Sequence, residues 1–169
     1  MMGLVEESQK IESVLEVPEG GLAVETYSHP FSGPTVVELL RTLFGEGISI
    51  RLRVGGTMMS PFIKPGDVVV LSPLGTRKPS IGDVVMFVKP STQKIFIQRV
   101  IKKTMNSYLV KGDGAQEAMG IVPMANVLGL VTKVERGERT IRLGLGLERV
   151  LIALLSRKGL LRRLHHLLR

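Results

Sequence analysis

Three Gly-Asp dipeptides, Gly66-Asp67, Gly82-Asp83 and Gly112-Asp113, each stand at the edge of a short hydrophobic run, and they constrain the fold more than any other feature of the chain. The first two precede Val68 to Leu71 and Val84 to Val88, and the third follows Ser107 to Val110. Runs this short, bounded by turn residues, read as strands. Pro65-Gly66-Asp67 has the order of a turn with Pro at i+1 and Gly at i+2. Asp67 and Asp83 are expected to act as turn residues, their side chains capping backbone N–H groups after the glycine.

Other strands follow from alternation. Ile48 to Val54 sets Ile48, Ile50, Leu52 and Val54 against Ser49, Arg51 and Arg53. Lys94 to Lys103 is the longest, with Ile95, Ile97, Arg99 and Ile101 on one face and Phe96, Gln98, Val100 and Lys102 on the other. Tyr108 to Lys111 returns after Asn106-Ser107, and Val127 to Val134 precedes an Arg136-Gly137-Glu138 turn. Seven or so short strands predict a mainly β fold, a small and partly open antiparallel barrel. Val36, Val37, Leu39, Leu40 and Leu43 have helical spacing, and Gly45 and Gly47 end that helix.

Charge divides the chain into three parts. Residues 1–33 form an acidic leader, expected to be partly disordered; its first 30 residues hold six Glu and one Lys. It shows no basic segment leading into an apolar one, so neither a signal peptide nor a membrane anchor is expected there, and the expected location is cytoplasmic. Residues 34–143 carry the helix and the β domain. Residues 144–169 are a basic tail with six Lys and Arg against one Glu. In the tail Leu147, Val150, Leu151, Leu154, Leu155, Leu161, Leu164 and Leu168 mark an apolar face, opposite a face with Arg149, Arg157, Lys158, Arg162, Arg163 and Arg169. Its longest apolar run, Val150 to Leu155, is far below the roughly 20 residues that span a bilayer. Such a helix lies on anionic membranes as a peripheral contact, fills a partner's groove, or covers its own domain.

Composition removes several functions. With no cysteine there are no disulfides or thiolate metal sites, and His29, His165 and His166 do not form a ligand set, so neither metal nor cofactor is expected. There is no tryptophan and few aromatics, which disfavours a base-stacking surface and makes nucleic acid an unlikely partner.

The stretch Gly56-Thr57-Met58-Met59-Ser60-Pro61-Phe62-Ile63-Lys64-Pro65-Gly66-Asp67 resembles the first box of the S24/S26 peptidase superfamily, the signal peptidase I and LexA-type serine peptidases, which reads roughly Gly-x-Ser-Met-x-Pro-x-x-x-x-Gly-Asp. Gly56, Met59, Pro61, Gly66 and Asp67 match it. The second box, a Lys or His followed by Arg-Val-Ile, is similar to Gln98-Arg99-Val100-Ile101. The third is similar to Lys111-Gly112-Asp113, with Met119 where a further Asp would stand. The resemblance runs from about Ser49 to Val134, and the three boxes occur in order.

It implies a signal-peptidase/LexA-type barrel with Met58 at the nucleophile position and Gln98 at the base position. A thioether carries no attacking hydroxyl, and an amide nitrogen cannot accept a proton near neutral pH. A pseudopeptidase that binds an extended peptide or protein segment is therefore the leading expectation. Its cleft would be framed by Gly56, Met58, Met59, Ser60 and Pro61 from the first box, and by Gln98, Arg99, Asp113 and Met119 from the others. Gln98 is read either as a polar residue bonded to backbone or as a contact to a substrate amide. Arg99 and Asp113 are read either as an orienting pair at the cleft or as an ion pair holding strands in register. Two alternatives stay open: an active peptidase pairing Thr57 or Ser60 with Lys64 or Lys111, and a structural or membrane-docking protein.

Overall fold

The runs that flank the Gly-Asp pairs are strands, and they build one antiparallel sheet curved into a half-barrel. The computed structural model describes residues 15–16, 22–24, 34–142 and 144–158. Ten strands occur among them: β1 (Leu15–Glu16), β2 (Leu22–Val24), β3 (Ile50–Arg53), β4 (Val68–Pro73), β5 (Val84–Lys89), β6 (Lys94–Lys103), β7 (Ser107–Lys111), β8 (Gly120–Pro123), β9 (Val127–Arg136) and β10 (Arg139–Ile141). Helices α1 (Pro34–Gly45) and α2 (Arg149–Arg157) flank them.

The order across the sheet is β1-β2-β3-β4-β9-β5-β6-β7-β8, with β10 on β9. All pairs are antiparallel except β2 with β3. Strand β9 is long because it serves two neighbours in turn, β5 through Leu130 and β10 from Val134, while β4 runs along its other edge. Register shifts at Val70/Leu71, Met86/Phe87 and Val100/Lys102 bend the strands and supply the curvature.

Strand β5 shows why its sequence reads as an unbroken apolar run. All of Val84 to Val88 are buried. Alternate side chains enter two cores: Val84, Met86 and Val88 join Ile50, Val69 and Leu71 on one face, and Val85 and Phe87 join Val100, Tyr108 and Val110 on the other. Helix α1 buries Val37 and Phe44 in the first core.

The structure adds detail to the sequence expectations at four places. Two pieces of the acidic leader, 15–16 and 22–24, are strands of the sheet. Strands β8 and β10 go beyond the sequence expectation; each is only three or four residues long, too short for alternation to mark it. The carboxylates of Asp67 and Asp83 accept hydrogen bonds from Lys64 N and Ser80 N, 2.8 and 2.9 Å away, so they cap the amide three residues before them, ahead of the glycine. In the tail helix Ile152, Ala153 and Ser156 pack inward, while Leu147, Val150, Leu151 and Leu154 of the expected apolar face are exposed. The tail beyond Lys158, with Leu161, Leu164 and Leu168, lies outside the described residues. No helix among the described residues is long and apolar enough to cross a membrane.

Candidate functional site

Each Gly-Asp pair carries an arginine. In the first two, glycine at φ 89° and 94° closes a turn that leaves the following Asp buried at the start of a strand. Asp67 then pairs with Arg136 at 2.7 Å, and Asp83 with Arg149 at 3.3 Å and Arg77 at 3.4 Å. The third differs, because Gly112 does not have positive φ and Asp113 pairs with the fully buried Arg99.

Arg99 holds four segments together. It donates from Nε and Nη2 to the two Asp113 oxygens at 2.7 Å, and from Nη1 to the carbonyls of Gly82 at 2.8 Å and Gly144 at 2.7 Å. The Phe62 ring lies over its guanidinium, 5.7 Å from centroid to Cζ. Burial pushes the Asp113 carboxyl up, with the guanidinium acting against that shift.

The first box forms a tight turn. Ser60 N donates to Thr57 O at 3.0 Å and Ile63 N to Met59 O at 3.0 Å, and the Ser60-Pro61 bond is cis. This turn rests on the third box, where Gly114 N donates to Met58 O at 2.9 Å. A Cβ on Gly112 would stand 2.5 Å from Met58 O, and one on Gly114 3.0 Å from Ser60 O. The approach requires glycine at Gly112 and is tight at Gly114, where a Cβ would push the Ser60 carbonyl back by a few tenths of an ångström. The Gly112-Asp113-Gly114 spacing carried that signal, which the sequence reading left unused.

The candidate residues separate by environment. Met59 is buried in the first core, whereas Met58 is 44% exposed on the turn beside exposed Gly56 and Thr57, with Ser60 and Pro61 half-buried. Gln98 is 1% exposed, and neither atom of its amide has a hydrogen-bond partner among the described residues. It lies opposite Val85, on the face of the second core that Met119 also packs against. Arg99 and Lys111 are paired across β6 and β7, so they share the other face. Lys111 is buried and donates from Nζ to Ser156 O of α2 at 2.8 Å. Lys64 is exposed. Among the described residues no hydrogen bond joins a Thr57 or Ser60 hydroxyl to either amine.

A pocket of about 210 Å³ opens elsewhere, beside Asp83 and Arg149, and is lined by Val84, Val131 and Leu145. None of the residues expected at the cleft lines it.

Comparison of the chain with family models and with curated proteins finds no match.

Proposed function

We propose that this chain has the signal-peptidase/LexA type of β domain and binds an extended peptide or protein segment without cutting it. The observation that carries this reading is the Gln98 amide, buried and, among the described residues, with both its donor and its acceptor unpaired. Buried polar groups are almost always bonded, and leaving an amide unpaired works against folding, so such a group is retained where it has a use. One carboxamide offers both a donor and an acceptor, which match the C=O and N–H of a peptide unit. Chemistry is absent for a separate reason. Met58 has no hydroxyl, Gln98 is no base, and the Lys111 amine is engaged by the Ser156 carbonyl.

Titration of 15N-labelled protein with a pooled library of extended hexapeptides tests this. The side-chain NH2 resonances of Gln98 are expected to shift saturably while the peptides stay intact by mass spectrometry. Unmoved Gln98 resonances up to millimolar peptide, or hydrolysis of the pool, would overturn the reading.

A further inference from the structure

Helix α2 is fastened to the domain by its inner face alone. Ile152, Ala153 and Ser156 are buried against the sheet, Lys111 holds the Ser156 carbonyl, and Arg149 reaches Asp83 near the other end. The outer face carries a stripe of Val150, Leu151 and Leu154, 44%, 59% and 44% exposed, and Leu147, in the turn just before the helix, is 97% exposed. Arg157 and Lys158 are exposed and fall on the same stripe, three and four residues beyond Leu154. Single exposed apolar residues are ordinary, but three on one face of a nine-residue helix, with exposed Leu147 just before it, are not.

We infer that this outer face of α2 is a docking surface for an anionic lipid bilayer. The charge pattern selects that occupant. From Arg149 to Arg169 the sequence contains no Asp or Glu, and Glu148 is bound to the amides of Gly144 and Gly146. Against a second copy of the chain, cations would meet cations. In an apolar groove of a soluble partner, Arg157 and Lys158 would be enclosed without carboxylates. At a bilayer the leucines enter the acyl boundary while the cations extend to lipid phosphates. The inference is independent of peptide binding, although the two surfaces are linked: Lys111, which grips α2, directly precedes the Gly112–Gly114 loop that supports the Met58 turn.

Co-sedimentation of the full chain with phosphatidylcholine vesicles, with and without phosphatidylglycerol, tests it. Binding is expected only with the anionic lipid and is expected to weaken as salt rises. Combined Leu147→Gln, Leu151→Gln and Leu154→Gln substitutions, on an outward face, are expected to lower the partition coefficient by about tenfold or more, and Arg157→Gln with Lys158→Gln by about tenfold. Because the chain has no tryptophan, Leu151→Trp gives a single reporter that is expected to shift to the blue on anionic vesicles. Undiminished sedimentation of the triple variant, or an unshifted reporter, would overturn the inference. So would a wild-type dimer that the triple substitution dissociates, with no vesicle binding by either form.

Discussion

Arg99 and Asp113 form a bidentate ion pair with both N···O distances at 2.7 Å and both side chains wholly enclosed. Two further carbonyl bonds make Arg99 the joint between β6, the Gly82 turn, the 112–114 loop and the approach to α2. Removing one member leaves the other charge buried and unpaired, which costs about 3–5 kcal/mol. Asp113→Ala and Arg99→Met are each expected to lower unfolding free energy in urea by that amount. The Arg99→Met/Asp113→Leu double variant is expected to lose less than the sum of the singles. An additive cycle would mean the pair is not coupled.

Gly112→Ala is a second test of the joint between boxes. Its methyl would stand 2.5 Å from Met58 O, so either the turn or the loop must move. Overpacking of this kind costs about 1–3 kcal/mol. The expected result is a destabilised protein whose amide shifts change at Met58, Met59 and Gly114; a wild-type spectrum would contradict the approach described here.

Acid sensitivity follows from three carboxylates held below their ordinary range. Burial pushes Asp67 up, but the Arg136 guanidinium and the Lys64 amide outweigh it and bring it down. The Lys133 ammonium and Arg51 lower Glu135, and backbone amides, including those of Gly144 and Gly146, lower Glu148. A folded value below the unfolded one means that the native state binds fewer protons. The resulting stability is present above the unfolded values of 3.8 for Asp and 4.5 for Glu and is lost as pH falls through the lower folded values. Asp113, shifted up, has the opposite sign: its contribution is present below its unfolded value and lost as pH rises through the folded one. Calorimetry is expected to give a Tm that declines below those unfolded values, with a shallower decline for Asp67→Asn. An acid limb of the same slope in that variant would count against the assignment.

Sequence patterning reached the mainly β class and most strands because the Gly-Asp turns and the alternation are local signals. The edge of β6 was legible in the same way, which put Gln98 on an apolar face. What sequence could not supply was pairing at a distance. Nothing local marks Asp67 as the partner of Arg136, or the Lys111 amine as bound to Ser156. The apolar stripe of the tail is legible in the sequence, but which face turns inward is not, because the contact of Ile152, Ala153 and Ser156 with the sheet and of Lys111 with Ser156 decides it.

The proposed signal-peptidase-like reading, with Met58 at the nucleophile position and Gln98 at the base position, leads to a gain-of-function prediction. Met58→Ser supplies a hydroxyl and Gln98→Lys supplies an amine, and neither is useful without the other. Hydrolysis of the hexapeptide pool, or self-cleavage, is expected from the double variant and from neither single one. Equal activity in Met58→Ser alone would show that Gln98 is not at the base position.

The most direct test of peptide binding through Gln98 is the affinity of Gln98→Met for the tightest hexapeptide selected from the pool, measured by fluorescence polarisation beside the wild type. Replacing an unpaired buried amide with an apolar side chain of similar size is expected to raise unfolding free energy by about 1–3 kcal/mol. Losing two hydrogen bonds to a peptide unit is expected to weaken binding by about tenfold or more. A more stable protein that binds the peptide more weakly is the result this account requires; a Gln98→Met variant with unchanged affinity would contradict it.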